Sequence, residues 1–490
     1  MSRRWPALVF SGEHDPAALS RAVTRGTLRR LSRGIYSGDL ETAAETLVEQ
    51  HLFEIIAHEF PAAVFVDRSA TTGGRPTDGA VFVDHPRQRS VAFPGVTVWP
   101  RAGPGAQSGD MDMPNGLKLS SEARALLDNL APARPRARVV RVLEPIEIED
   151  WIDRLVRERG PDGINVIRDQ ARTVAPALHR QAEMDRLDSL ISAALTTRDD
   201  VEMTSPSLIA RSGSQPYDPR RLKLFTSLVE TLAGTSPHTL PALPGDRDRR
   251  TLLPFYEAYF SNFIEGTEFT IGEAAEIVFD HVVPEDRPDD AHDIIGTYAI
   301  VADDQQMNLV PKSFDELVAL MRDRHALLME SRPDKLPGEF KRKPNRAGTT
   351  EFVAPELVAG TLRRGFDLIG DVRSPFHRAV YMMFLVAEVH PFSDGNGRIA
   401  RIMMNAELQH AREVRILVPT VYRNNYLSAL RAATHNSSFD PLIAMLLFAQ
   451  RYTGRIDFTD RATAEADLER TNAFRDANDA EAAGVRLMLP

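Results

Sequence analysis

Twelve consecutive residues concentrate the chemistry of this chain, the run His390-Pro391-Phe392-Ser393-Asp394-Gly395-Asn396-Gly397-Arg398-Ile399-Ala400-Arg401. His390 supplies a base whose ordinary pKa lies near working pH. Asp394 is a hard oxygen ligand of the kind Mg²⁺ prefers. Gly395 and Gly397 permit positive φ and carry no Cβ, so backbone can approach a ligand closely. Successive N–H groups around Asn396 then face one concavity at the start of a helix, which favours bound phosphate. Arg398 and Arg401 are three apart and share one face of the first turn. Their guanidinium forks match phosphate oxygens. The parts add up to a phosphate cradle with a metal ligand and a proton acceptor. Neither the lysine-bearing P-loop nor the protein-kinase signature set occurs.

These residues need elements to hold them. Ser374-Pro375 opens a helix whose body, Phe376 to Val389, is apolar on nearly every side, the mark of a helix buried at the centre of its domain. It runs straight into His390. A loop with two glycines follows, and Arg398 is expected to open the next helix, through Met404 and Leu408. Further upstream, Leu252, Tyr256, Tyr259, Phe260 and Phe263 recur at helical spacing. On that helix Ser261 and Glu265 are four apart and share a face, and Gly266 is the expected terminator. The capping box Thr270-x-x-Glu273 then starts another helix.

The chain has 490 residues, which suggests two to four domains. It has no cysteine, which excludes disulfides, thiolate metal sites and a cysteine nucleophile. The histidines show no ligand-like clustering. Met1 to Phe10 lacks the apolar stretch of a signal peptide, and no segment reaches the roughly 18 apolar residues a membrane helix needs. A cytoplasmic protein with no membrane contact is expected.

The net charge is -10, yet the first 36 residues hold Arg3, Arg4, Arg21, Arg25, Arg29, Arg30 and Arg33 against Glu13 and Asp15. Asp15-Pro16 should start a helix to about Arg25, stopped at Gly26, and Leu28 to Tyr36 should form a basic hairpin. The expected organisation has five parts. Residues 1–60 form a basic winged helix-turn-helix-like module, with a helix near Glu41 to His58. Residues 61–150 form a small α+β domain with strands at Ala63–Val66, Ala80–Val83, Val91–Phe93 and Val96–Trp99. Residues 151–240 are a helical connector, with clear segments at Ile146–Arg159 and Leu178–Leu195 and a linker at Thr235–Asp246. Residues 247–454 are almost entirely helical, and 457–490 form a charged tail.

The His390 to Arg401 run resembles the signature of the Fic family, H-P-F-x-[DE]-G-N-G-R-x-x-R, with every defining position filled. The likeness extends over roughly Arg247 to Gly454. It implies an all-α catalytic domain with a small β-hairpin flap; with the winged helix-turn-helix/α+β region expected ahead of it, the chain is multidomain. It also implies a protein adenylyltransferase that moves AMP from Mg·ATP to a hydroxyl of a target protein. His390 would take the hydroxyl proton and Asp394 would hold Mg²⁺. Gly395, Asn396 and Gly397 would cradle phosphate, Arg398 would contact the β-phosphate side and Arg401 the γ-phosphate, and Phe392 would anchor the loop. The flap, expected within Gly338 to Val353 with Lys341, Arg342, Lys343, Arg346, Thr349 and Thr350, would dock the target chain.

Ser261-Asn262-Phe263-Ile264-Glu265-Gly266 is similar to the family's inhibitory motif, [ST]-x-x-x-E-[GN]. The resemblance implies that Glu265 pairs with Arg401 in the γ-phosphate's place, with the inhibitory helix at about 252–266. Two rivals stand beside this reading: AMP removal by the same site, and a DNA-binding regulator. The second is suggested by the arginine-rich start, where Arg21 to Tyr36 resembles AbiEi-type antitoxin regulators. Fic domains often dimerise, so a homodimer is also expected.

Overall fold

A computed structural model describes residues 5–133, 139–242 and 250–490. The chain divides into two compact units, Met1–Ser214 and Gln215–Pro490. Arg3, Arg4 and the end of the expected linker, residues 243–246, lie outside the described residues.

In the first unit, β1 (Val9–Phe10), β2 (Arg29–Ser32) and β3 (Ile35–Ser37) form an antiparallel sheet in the order β1-β3-β2. Helix α1 (Pro16–Thr24) starts where Asp15 accepts from the Ala17 and Ala18 N–H groups, and Gly26 beyond it takes φ 68°. The expected helix and basic hairpin are therefore present. Among the described residues before the hairpin there is one α-helix, not the pair a helix-turn-helix requires, because the segment upstream pairs with β3 as a strand. The helix expected over Glu41 to His58 is two, α2 (Ala44–Gln50) and α3 (Leu52–Glu59), broken at His51, whose φ is −108° and ψ 17°.

A six-stranded sheet follows: β4 (Val64–Phe65), β5 (Ala80–Asp84), β6 (Val91–Phe93), β7 (Val96–Arg101), β8 (Met111–Asp112) and β9 (Lys118–Leu119), in the order β6-β7-β5-β4-β9-β8. Strands β5 and β7 are parallel, as are β4 and β9, and the other neighbours are antiparallel. Phe10, Leu31 and Ile35 share one core with Ile55, Phe65 and Val98, so the boundary expected at residue 60 is not one. Short α4 (Arg68–Thr71), α5 (Glu122–Leu130), α6 (Pro145–Leu178), α7 (Gln181–Ala194) and α8 (Pro206–Ser212) complete the unit, with α6 broken at Gly160. Arg124 of α5, wholly buried, bonds Asp84 at 2.6 Å and Asp110 at 2.7 Å and ties helix to sheet.

The second unit starts with α9 (Pro219–Gly234), so the expected connector is divided. Phe225 of α9 meets Tyr381 and Phe384 of α16 (Pro375–Val389) edge-on, at ring separations of 6.4 and 6.3 Å. Helix α16 is buried almost throughout, as its all-round apolar sequence demands. Ser374 takes its N-cap place without a side-chain bond to the helix.

Around it stand α10 (Leu253–Ile264), α11 (Ile271–Phe279), α12 (Pro288–Val301), α13 (Asp304–Asn308), α14 (Phe314–Leu328), α15 (Val358–Asp367) and α17 (Asn396–His410). Helices α18 (Arg423–Asn436) and α19 (Asp440–Thr453) follow. The capping box at Thr270 and Glu273 is formed. The hairpin β10 (Arg346–Ala347) and β11 (Thr350–Glu351) lies in the expected segment, with Arg346 opposite Glu351. The last stretch is not a charged tail. Helices α20 (Arg461–Arg470) and α21 (Ala477–Ala482) bring Phe458 onto Tyr256 and Phe474 onto Phe260 of α10, at ring separations of 5.5 and 5.7 Å. No helix among the described residues is long and apolar enough to cross a membrane.

Candidate active site

Helix α16 ends because His390 adopts the left-handed conformation, φ 52° and ψ 58°. Its ring stacks on Phe352 at 3.6 Å, the planes 4° apart. Nδ1 lies 3.1 Å from the Ala387 carbonyl. A carbonyl only accepts, so Nδ1 carries the hydrogen and Nε2 keeps its lone pair as the basic atom. Burial pulls the imidazole down to about 4, and Lys341 adds to this. The Ala387 bond and the carboxylates of Glu265 and Asp394 pull the other way. At neutral pH the ring is a neutral base.

The loop after it is closed by Asn396, whose Oδ1 accepts from Phe392 N at 2.8 Å while its Nδ2 donates to Phe392 O at 2.9 Å. The Phe392 ring, fully buried, lies against His325 at 3.8 Å. Gly395 takes φ 71° as the N-cap of α17. The helix thus starts at Asn396, two residues earlier than expected, and only Gly395 of the two glycines uses positive φ. Gly397 is needed for a different reason. A Cβ there would collide with Glu265 Oε1 and stand 2.9 Å from its Cδ. Asp394, 45% exposed in its side chain, accepts from Gly395 N at 2.6 Å. One accessible carboxylate beside a phosphate cradle fits Mg²⁺, which keeps waters and shares phosphate oxygens with one or two protein ligands.

Both arginines are nearly buried, Arg398 at 3% and Arg401 at 5% exposure. Arg401 donates from Nε to Ser261 Oγ at 3.0 Å and from Nη2 to Ser261 O at 2.8 Å and Glu265 Oε1 at 2.7 Å. Glu265 is the C-cap of α10, with Gly266 at φ 96° behind it. Burial raises its carboxyl, but Arg401 and then Arg398 outweigh that and hold it below the usual range. One turn and two turns back, Ser261 and Glu257 continue the seam along α17, Glu257 accepting from Asn405 at 2.9 Å. Every residue expected at the site is thus gathered at the junction of α10, α16 and α17.

Residues 315–408 match the Fic/DOC family. The chain carries a Fic domain. Among curated proteins it is similar to the Caenorhabditis elegans protein adenylyltransferase fic-1, 25% identical over 185 residues, which are 36% of this chain and 36% of that protein. It is also similar to the Drosophila persimilis protein adenylyltransferase Fic, 25% identical over 223 residues, 45% of this chain and 43% of that one. The chain therefore spans less than half the length of these relatives. Among solved structures, Fic-1 (residues 134–508) from C. elegans aligns with a TM-score of 0.36 and 18% identity, covering 69% of this chain and 99% of that one.

Four residues around the Fic motif carry no linear signal. His325 of α14 accepts from Gly338 N at Nδ1 (2.9 Å), so its Nε2–H donates to Asp394 O at 3.2 Å. It clamps the loop from beneath. Phe352 follows the hairpin and fixes the His390 ring. Asn262 and Asp293 both reach Arg398. The hairpin root is tied to the motif loop by Lys341 N to Pro391 O (2.8 Å) and Asn345 Nδ2 to Phe392 O (2.9 Å). Lys341, expected on a surface ribbon, is buried; burial pulls its amine down to about 7, and Nζ donates to Asn345 Oδ1 at 2.6 Å. Thr350 is buried too, against His435. Arg342, Lys343, Arg346 and Thr349 are exposed as expected.

Proposed function

We propose that this Fic domain transfers AMP from Mg·ATP to a hydroxyl on a protein, and that Glu265 restrains it in the resting chain. The observation that carries the reading is the Glu265 carboxylate. It bonds Arg401 at 2.7 Å and packs on the Cα of Gly397, which puts a negative charge where the loop and helix N-terminus would seat phosphate. An anion site already filled by the chain's own anion is a site built for anions and held shut. Relatives named protein adenylyltransferase support the reaction class.

In the proposed reaction His390 Nε2 accepts the proton of the target hydroxyl. The hydroxyl oxygen forms a bond to the α-phosphorus, the bond to the bridging oxygen breaks, and pyrophosphate leaves. Asp394 would hold Mg²⁺, which neutralises phosphate charge when bound. Asn396 keeps the loop closed, and Arg398 and Arg401 take the β- and γ-phosphate sides. The exposed hairpin tip would receive the target chain. The test is incubation of Glu265→Gly protein with ATP labelled at the α or the γ position. Protein label from the α position supports AMP transfer; label from the γ position alone overturns it. Release of AMP by water from a premodified protein, with Glu265 in place, is the outcome that favours AMP removal by the same site.

A second reading concerns the first unit. Arg21, Arg25, Arg30 and Arg33 are exposed around α1 and the β2–β3 hairpin, which supports contact with a nucleic-acid backbone. Arg29 is spent internally, donating to Asp39 O at 2.9 Å. A mobility shift with the full chain that is absent even at low salt refutes this reading.

A further inference from the structure

The helix that carries Glu265 also builds part of the site it restrains. Arg398 Nη1 is bonded twice, to Asp293 Oδ2 at 2.7 Å and to Asn262 Oδ1 at 3.2 Å. The orientation of the Asn262 amide is fixed by its other end, since Nδ2 donates to Ala258 O at 2.9 Å and to Thr297 Oγ1 at 2.9 Å. The Thr297 hydroxyl spends its own hydrogen on Asp293 O at 2.7 Å, so it can only accept from Asn262. Asp293 is held in turn by both oxygens, to Arg332 Nε at 3.0 Å and Nη2 at 2.9 Å. Asn262 and Asp293 are themselves buried.

The rest of the Arg398 guanidinium is different. Nε is buried and has no hydrogen-bond partner. Nη2 has Met329 Sδ and Asp394 Oδ1 near it, each at 3.8 Å, beyond a good bond. A buried guanidinium saturated on one nitrogen and unfilled along the other edge is poised for an oxyanion arriving beside Asp394.

We propose that Asn262 and Asp293 are positioning residues that hold the free edge of Arg398 toward the terminal phosphates of the nucleotide. On this account α10 is the brake through Glu265 and the floor of the site through Asn262. The proposal rests on the nucleotide reading given above. It means that activation requires the Glu265 side chain to leave while the Asn262 turn stays.

The test uses Asn262→Leu and the isosteric Asp293→Asn, each introduced into full-length Glu265→Gly protein. Affinities for Mg·ATP and for AMP are measured by titration calorimetry, with steady-state AMP transfer alongside. ATP affinity is expected to fall, and KM for ATP to rise, by ~10-fold or more. AMP, which lacks the phosphates Arg398 would hold, should bind within about twofold of the Glu265→Gly protein, and kcat should change less than KM. Unchanged ATP affinity overturns the proposal. So does an equal loss for ATP and AMP, the signature of a purely structural role. If Asn262→Leu does not fold, Asp293→Asn carries the same contrast. Glu265→Gly protein that binds ATP without transferring AMP removes the transfer reading yet leaves this contrast measurable. Protein that binds no ATP at all removes both.

Discussion

Replacing Glu265 with glycine should raise activity and lower stability together, and the two effects share one cause. Arg401 is nearly buried and satisfied by Ser261 and Glu265, while the Glu265 side chain is 33% exposed. Breaking a fully buried pair costs about 3–5 kcal/mol, and an exposed pair is worth about 0–1 kcal/mol. The partial exposure of Glu265 puts this pair between them, at about 1–2 kcal/mol. That contribution stabilises the resting chain and, on the proposed reading, must be given up before Arg401 can take a phosphate. By linkage it weakens productive ATP binding by the same amount, about 5–30-fold. Steric exclusion above Gly397 adds to it. Glu265→Gly protein should therefore melt lower without ligand, gain more from saturating Mg·ATP than wild type does, and transfer AMP at least ~10-fold faster at limiting ATP. Thermal melts with and without nucleotide, and transfer assays across ATP concentrations, check each part. A lower melt with no gain in ATP affinity or transfer would refute the exchange, because it would make the Glu265–Arg401 bond a structural contact only.

Further expectations follow from the same geometry. Because burial pulls His390 down to about 4, its base form persists through neutral pH, so kcat/KM of Glu265→Gly protein should stay flat from about pH 6 to 8 and fall only as pH drops toward that value. An acid limb near the ordinary imidazole value would contradict the assigned burial. The Glu265 carboxyl is held below its usual range, so the stability of its pair is present above the ordinary carboxylate pKa and is lost only as pH falls through the lower, folded value. Wild-type restraint should therefore be constant near neutrality, as transfer assays across pH would show. Gly395→Ala would place a Cβ at φ 71°, 3.1 Å from Met329 Sδ, and should destabilise the second unit by about 1–3 kcal/mol in thermal melts. Arg124→Met would leave Asp84 and Asp110 buried without their shared cation and should cost the first unit about 3–5 kcal/mol in denaturant titration; a loss under ~1 kcal/mol would refute that.

What the sequence discloses about the site is what lies within one or two helical turns. His390 to Arg401 and Ser261 to Glu265 are contiguous, and spacing alone puts their side chains on defined faces. His325, Phe352 and Asp293 act from separate elements, and no local period marks them. Asn262 sits inside a recognised motif at a position where the pattern accepts anything, and its role appears only once α12 brings Asp293 and Thr297 beside it. Element boundaries follow the same logic. Asp15-Pro16 and Gly26 mark α1 because caps and positive φ are local. The break at His51 has neither glycine nor proline to announce it, and the two-residue strands β8 and β9 are too short to show alternation. In the last 34 residues, charge and alanine conceal sparse apolar anchors, Phe458, Leu468, Phe474 and Leu487, that only packing against α10 reveals.

On the proposed reading of Glu265, that packing limits how the restraint can be lifted. Leu253, Phe255, Tyr256 and Phe260 of α10 are buried in one core with Phe458 and Phe474 from the end of the chain. Burial of each such ring is worth about 1.5–3 kcal/mol, so withdrawing the helix would cost several times the 1–2 kcal/mol that its terminal carboxylate contributes. Its body is part of the fold, while Glu265 is its C-cap, followed by Gly266 at φ 96°; Glu265, Gly266 and Glu268 are exposed, with Thr267 buried between them. On that reading, a signal that activates the domain has only to compete with one partly exposed ion pair at the last turn. It can do so through whatever touches the segment from Glu265 to Glu268, and it leaves Ser261 and Asn262 where the arginines need them.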